Sequence, residues 1–196
     1  MIDLLIKIDK KIFLYLNNGN SLFDDFFVFI TNSTNMALIT IPVVIYLVIK
    51  HQQNNKHLLL FCIFLTFILT DFIHFYAFKE VFQRLRPCWD PEILNACRVL
   101  VDKGGLYGFV SGHASNTVAL VSIIFFTFPN LKRWLKDVLI IWAVVICYSR
   151  IYVGKHFPLD VIFGSLLGFI IAYIVFILFF SQLVTKQRKN YGNQNI

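Results

Sequence analysis

Apolar residues are not scattered along this chain but gathered into long stretches parted by short polar breaks. Residues 1–18 are the exception, with apolar positions recurring at helical spacing. At 100° per residue, Asp3, Lys7, Lys10 and Lys11 share one face, and Ile2, Leu5, Ile8, Ile12, Phe13 and Leu16 fill the other. This pattern predicts an amphipathic helix lying in the plane of a membrane interface. It is not a signal peptide, because Lys and Asp interrupt the apolar run and no small-residue cleavage site follows. Asp9 falls on the apolar face, where a carboxylate is expected to cap or pair with a neighbouring segment.

Beyond it come the longer runs. Phe26–Ile49 contains no Asp, Glu, Lys or Arg and is broken at Asn32-Ser33-Thr34-Asn35, which predicts a helix over residues 35–50. After a polar turn at 50–56, Leu58–Phe78 forms a second run, with Asp71 and His74 near its far end. A polar excursion over 79–108 precedes a third run at 109–131, and a turn at 132–137 precedes a short fourth at 138–153 that ends on Arg150. A fifth run at 161–185 leads into a basic tail. A membrane span needs about 20 apolar residues, fewer where its ends are buried in protein. Inside lipid the backbone must satisfy its own hydrogen bonds, so these runs are helices. The expected architecture is an all-α membrane protein with about five transmembrane helices and an N-terminal interfacial helix, in a single domain over residues 1–196.

Composition agrees and excludes alternatives. Of 196 residues, 58% are hydrophobic and only 15% charged, which leaves too little polar material to coat a soluble globule. Mean hydropathy is +0.69, which rules out a disordered chain. The net charge of +7 is not a nucleic-acid signature, because no basic run is long enough and the cations sit between apolar stretches. Their placement is informative instead. Lys50, Lys56, Lys132, Arg133, Lys136, Lys186, Arg188 and Lys189 occupy one side of a five-helix layout, with Asp137 the sole acid among them. On the other side, Glu80, Asp90, Glu92, Asp102 and Asp160 accompany the cations of 79–108 and 149–160. The positive-inside rule makes the first side cytoplasmic. The three lysines of the N-terminal helix run against that count.

The second side also collects the candidate chemistry. Lys79 and Arg86 follow the second run, Ser111-Gly112-His113 opens the third, Ser149-Arg150 closes the fourth, and His156 and Asp160 lead into the fifth. Charged groups at membrane depth are expensive and point to function. Phosphoryl transfer needs such a set, since positive clamps and preorganised N–H donors stabilise charge spread over the phosphoryl oxygens. A helix opening at Ser111-Gly112 offers free N–H groups, and Gly112 permits close backbone approach. One histidine can attack phosphorus while a second protonates the leaving oxygen. Asp160, four residues after His156, can hold the nucleophile's other nitrogen. With no carboxylate cluster suited to magnesium, no metal or other cofactor is expected.

The series Lys79-x6-Arg86-Pro87, Ser111-Gly112-His113 and Ser149-Arg150-x5-His156-x3-Asp160 resembles the three-part signature of the type 2 phosphatidic acid phosphatase (PAP2) superfamily, which also includes the vanadium haloperoxidases. Val110 stands where that family commonly has Pro, a turn position without a chemical role. The resemblance implies a PAP2-like helical bundle and a set of roles. His156 would form the phospho-histidine, with Asp160 orienting it and His113 serving as general acid and then base. Lys79, Arg86, Ser111, Gly112 and Arg150 would hold the phosphate. It further implies a metal-independent lipid phosphatase of the bacterial cytoplasmic membrane, with its site facing away from the cytoplasm. Undecaprenyl diphosphate, phosphatidylglycerophosphate or phosphatidate are the leading substrates, with lipid A phosphates as the alternative. A transporter or a lipid-binding protein on the same scaffold is the non-hydrolytic alternative. Helix-end clustering disfavours a pore, because transporters place ionisable groups at mid-helix.

Several other residues admit bland readings. Asp71 and His74, spaced i and i+3, are expected to satisfy each other. Cys62 and Cys147 fall within apolar runs as packing residues. Cys88 and Cys97 share the 79–108 loop and become disulfide partners if that loop faces an oxidising space. Trp89 is expected to anchor at the interface.

Overall fold

A computed structural model describes residues 2–51 and 56–182. Most of the 50–56 turn and the basic tail, with Lys186, Arg188 and Lys189, lie outside the described residues. The chain folds into α1 (Ile2–Asn17), α2 (Asp24–Thr31), α3 (Ser33–His51) and α4 (Lys56–Ile73). Helix α4 continues through a π-helical segment, His74–Lys79, into the single turn α5 (Glu80–Phe82). After a loop come α6 (Gly112–Thr127), α7 (Arg133–Tyr152) and α8 (Pro158–Val175), the last prolonged by a π-helical segment, Phe176–Ser181.

The five expected spans correspond to α3, α4, α6, α7 and α8. Among the described residues, three continuous helical stretches, Ser33–Lys50, Lys56–Phe82 and Pro158–Ser181, are long and apolar enough to cross a membrane. Helix α6 is apolar but has 16 residues, and α7 has 20 residues with charges towards both ends. The outward faces carry large apolar side chains such as Leu38, Ile49, Ile68, Ile141, Val144, Ile162 and Leu166. Surface of that kind on so many helices requires lipid as its solvent.

Helix α6 stands at the centre, packed chiefly on α8 and also on α4 and α7. Small residues allow that contact. A Cβ on Gly168 would lie 2.1 Å from the Ser115 carbonyl oxygen, and one on Gly164 would lie 2.6 Å from that of Ser111. Gly164 and Gly168 on α8 therefore pack against backbone on α6, the small-residue solution to helix packing where no hydrophobic drive operates. The close approach also joins the two helix starts, because the Ser111 N–H donates to the Asp160 carbonyl at 2.9 Å.

Several boundaries differ from expectation for local reasons. Residues 24–31, ahead of the expected break at Asn32–Asn35, form a separate helix, α2. Asn32 leaves it in an extended conformation and its Oδ1 accepts from the Thr34 and Asn35 N–H groups, which starts α3 at Ser33 rather than 35. The third helix begins at Gly112 rather than 109, since Ser111 is its cap. Residues 133–137, read as a turn, form the first turn of α7. The fifth helix starts at Pro158 rather than 161, with Pro at N1 and the Asp160 carboxylate accepting the Phe157 N–H at 2.9 Å.

Helix α1 forms as expected, but its buried stripe is Asp9, Phe13 and Asn17. Most of the expected apolar face, including Ile2, Leu5, Ile8 and Ile12, stays exposed. The reason lies in the ends of its neighbours. The Asn17 amide donates to the carbonyls of Ile151 (3.1 Å) and Tyr152 (2.8 Å), satisfying the last turn of α7. Asn17 Oδ1 accepts the Arg98 N–H at 2.7 Å. Lys10 pairs with Asp90 and Glu92, so α1 also clamps the long loop.

Candidate active site

The site is assembled from the ends of several helices. Ser111 caps α6, with its hydroxyl accepting the Ala114 N–H at 3.5 Å. Gly112 follows, where a Cβ would lie 2.8 Å from His74 Nε2. Only glycine allows the start of α6 to meet the His74 ring so closely, and Gly112 itself lines the cavity. At the end of α7, the Arg150 carbonyl accepts the N–H groups of both Lys155 (3.0 Å) and His156 (3.2 Å). Gly154, at φ +81°, makes that reversal possible. The chain thus folds back on itself and sets His156 beside Arg150.

His156 is almost fully buried, and its Nδ1 lies 3.6 Å from Asp160 Oδ2 with no hydrogen-bond partner among the described residues. The expected His–Asp pair is therefore adjacent but not hydrogen-bonded. Asp160 is engaged elsewhere: Oδ2 accepts from Phe157 N–H and Oδ1 accepts from Arg84 at 2.7 Å. Arg84 also donates to Asp9 at 2.6 Å, and its guanidinium stacks 4.3 Å from the Phe157 ring centre. Asp9 Oδ1 in turn accepts the Leu159 N–H at 3.0 Å, at the start of α8. Asp9 thus caps a neighbouring helix and pairs with a neighbouring cation, as expected for it. Burial raises its pKa against the opposing pull of Arg84.

Lys79, Arg86, Gly112, His113, Arg150 and His156 line one cavity of about 840 Å³. Ser111 and Asp160 sit behind that wall, fully buried. The Ser111 hydroxyl is turned to its own helix cap rather than into the cavity, because capping satisfies a donor that would otherwise be orphaned. Arg86 is held by its Nε–H donating to the Tyr107 carbonyl at 3.0 Å. Thr31, at the end of α2, ties the rest together. Its carbonyl accepts from Arg150 at 3.2 Å and lies 3.1 Å from His113 Nε2, and its hydroxyl meets both Arg150 and Ser149. The Nε of Arg150 is buried without a partner.

Electrostatics favour an uncharged His156 beside several cations. Burial, reinforced by Arg86, Arg150, Lys79 and Lys155, pushes the His156 pKa well below that of an ordinary imidazole. A neutral imidazole keeps one ring nitrogen with a free lone pair. Lys155 also lines the cavity, and burial with the nearby Arg86 lowers its pKa to about 8. Its Nζ donates to the Asp102 carbonyl at 2.7 Å and to that of Lys103.

Among the described residues, no group of three or more His, Cys, Asp or Glu is placed to hold a metal ion. Cys88 and Cys97 are free thiols, each directed at a backbone carbonyl, with burial raising Cys97 to about 12. Sequence reasoning passed over Arg84, Thr31 and Lys155. Arg84 had a readable signal, as a second cation two residues before Arg86, whereas Thr31 joins the site only through the packing of α2 on α7.

The sequence profile of the PAP2 superfamily matches residues 33–183. The chain belongs to the PAP2 superfamily. The matched region holds α3 to α8 and every expected site residue, and leaves out α1 and α2. As a PAP2 enzyme the protein is a lipid phosphatase, a hydrolase of phosphate esters. It is 29% identical over 177 residues to the lipid A 4'-phosphatase of Porphyromonas gingivalis, covering 88% of this chain and 73% of that protein. It is 30% identical over 165 residues to the undecaprenyl-diphosphatase BcrC of Bacillus subtilis, covering 84% of this chain and 77% of that one. The crystal structure of Aquifex aeolicus LpxE superposes with a TM-score of 0.61 at 26% identity, covering 84% of this chain and 92% of the other. The PAP2 fold thus accounts for the all-α membrane architecture.

Proposed function

We propose that this PAP2 phosphatase removes phosphate from a membrane lipid through a phospho-histidine on His156, without a metal. The observation that carries the reading is the polar part of the cavity. A buried neutral His156 stands there among Lys79, Arg86 and Arg150 and the open start of α6, and the apolar walls of α3, α4 and α6 continue beyond.

The steps follow from these groups. The free imidazole nitrogen of His156 attacks phosphorus, and the bond to the lipid oxygen breaks. His113 delivers a proton to that oxygen, so a neutral lipid alcohol leaves. Water, losing a proton to His113, then attacks the phospho-histidine, and the P–N bond breaks to release phosphate. Lys79, Arg86, Arg150 and the Gly112 N–H neutralise the charge that spreads over the phosphoryl oxygens. Asp160 faces the imidazolium as it forms, held in place by Arg84 and the Phe157 N–H. Ser111 contributes by capping the helix that presents Gly112.

The lipid's tail lies along the apolar length of the cavity. A phosphorylated sugar lipid is favoured over undecaprenyl diphosphate, phosphatidylglycerophosphate and phosphatidate, by the long match to a lipid A 4'-phosphatase. The charge pattern supports a cytoplasmic-membrane protein whose site faces outward, because Lys50, Lys56, Lys132, Arg133 and Lys136 lie at the opposite helix ends.

The test is phosphate release from detergent-solubilised lipids without added metal, with His156→Ala alongside. Release by the wild-type protein that disappears in the variant supports the reading. Undiminished release by the variant sinks the mechanism.

A further inference from the structure

In a regular α-helix the five-residue step from His74 to Lys79 would part them by about 140° around the axis, too far for both to serve one site. The segment His74–Lys79 is π-helical instead, and the Glu80 N–H that follows donates to the Phe75 carbonyl, five residues back. Bonding at that longer interval turns His74 and Lys79 towards one side, and both line the cavity. Such inserts are rare and recur at functional sites. His74 lies outside all three parts of the signature, yet its side chain is only 10% exposed and faces the polar part of the cavity.

The ring is placed for a ligand. A Cβ on Gly112 would lie 2.8 Å from Nε2 and 3.2 Å from each neighbouring ring carbon, so Gly112 covers the ring face at Nε2. The in-plane direction of that nitrogen, along which it bonds, stays clear of Gly112. On the other edge, Nδ1 is buried 3.6 Å from Asp71 Oδ1, with no hydrogen-bond partner among the described residues. The expected Asp71–His74 pair is thus close but not hydrogen-bonded. Asn116 on α6 donates through Nδ2 to the same carboxylate oxygen at 3.5 Å. The arrangement repeats that of His156, whose Nδ1 also lies unpaired 3.6 Å from a carboxylate. A buried imidazole nitrogen left unpaired is costly in a residue that only packs.

Resting on the phosphatase reading above, we infer that His74 is a further phosphate-binding residue, whose Nε2–H donates to the phosphoryl oxygen at the Gly112 N–H, and that Asp71 positions it through Nδ1. An imidazolium there stands between two anions, the Asp71 carboxylate and the phosphate, and each of its N–H groups faces an acceptor. The charge of the bound phosphate offsets the repulsion between that ring and Lys79. The ring also adds what Lys79 lacks, a donor of fixed direction, because an ammonium on a flexible stem supplies charge without orientation.

The experiment measures the Kd of inorganic phosphate for the full-length protein in detergent by titration calorimetry, with phosphate release from a panel of phosphorylated lipids alongside. His74→Phe keeps a ring against Gly112 without a donor, and His74→Gln puts an amide N–H where Nε2–H was. His74→Phe is expected to weaken phosphate binding by about tenfold, the measure of one charge-assisted hydrogen bond, and to raise KM for the lipid in step. His74→Gln is expected to recover most of that loss. Asp71→Asn is expected to weaken phosphate binding on its own but to add nothing in the His74→Phe background, since it acts through the ring. Phosphate affinity within about twofold of wild type in His74→Phe, or equal losses in the Phe and Gln variants, overturns the inference while lipid turnover by the wild type keeps the phosphatase reading standing. No release from any lipid by the wild type overturns both. Should His74→Phe not fold, the same comparison of His74→Ala with His74→Gln decides.

Discussion

What surrounds His156 sets its charge state, on which the proposed attack depends. Burial and four nearby cations push its pKa well below that of an ordinary imidazole, and Asp160 lies 3.6 Å from its Nδ1, placed to face the charge that the proposed attack would create. Replacing His156 by Ala is expected to reduce turnover to background, and His113→Ala to reduce it by about 10²–10⁴-fold, the usual contribution of a general acid. Single-turnover phosphate release, with circular dichroism as the check on folding, measures both. Lys155 gives the same site a pH dependence. Its pKa near 8 lies below its unfolded value, so the native site holds its charge below pH 8 and loses it above. KM for the anionic lipid is therefore expected to rise as pH passes 8, and a pH profile of Lys155→Met should lack that rise. Arg84 acts at one remove. It touches no cavity wall but holds Asp160 and Asp9 together, so Arg84→Met leaves two buried carboxylates without their shared cation. A loss of about 3–5 kcal/mol of stability is expected from breaking so buried a pair, read as a lowered unfolding midpoint in detergent.

Among the elements, the contact of α6 with α8 fixes Ser111 and Asp160 relative to one another. The Ser111 and Asp160 helix starts are joined by one backbone hydrogen bond, and the two helices can approach that closely only because Gly164 and Gly168 lack side chains. Gly168→Ala would push a methyl group into the Ser115 carbonyl. The expected outcome is a destabilisation of about 1–3 kcal/mol with a further loss of kcat, as the two helix starts separate. Thermal unfolding and turnover of the same preparation check it. Helix α1 contributes as a clamp rather than as a bilayer anchor alone. Asp9 and Asn17 satisfy the start of α8 and the end of α7, the two helix termini that flank His156. Its exposed isoleucines and leucines remain available to lipid, so one helix serves both purposes.

At the level of the whole molecule, Lys79, Arg86, Arg150 and the two histidines cluster on one cavity of a bundle whose outer surface is apolar, and that cavity runs along α3, α4 and α6. Such a lining suits an amphipathic substrate with its phosphate among the cations, as the proposed function requires. Orthovanadate is expected to inhibit, since its trigonal-bipyramidal form resembles the phosphoryl transition state. Full activity at millimolar vanadate would contradict histidine attack on phosphorus. EDTA is expected to leave turnover intact, and a loss restored only by magnesium would overturn the metal-free mechanism.

Much of this protein was legible before folding. The apolar runs are long and nearly free of charge, so the helical membrane architecture follows from the bilayer's intolerance of unpaired backbone. Spacings within each motif are short, so Lys79 and Arg86, Ser111 to His113, and Arg150 to Asp160 are identifiable along the chain. What the linear pattern leaves open are relations between segments far apart in sequence. Thr31 reaches Arg150 because α2 packs on α7, and Asp9 meets Arg84 and Leu159 across 75 and 150 residues. The Asp71–Asn116 face of the cavity arises where α4 and α6 are held together at the Gly112 turn. Periodicity reports which face of a helix is apolar, but side-chain packing decides which neighbour that face meets. That choice sets the partners of every buried charge in the site.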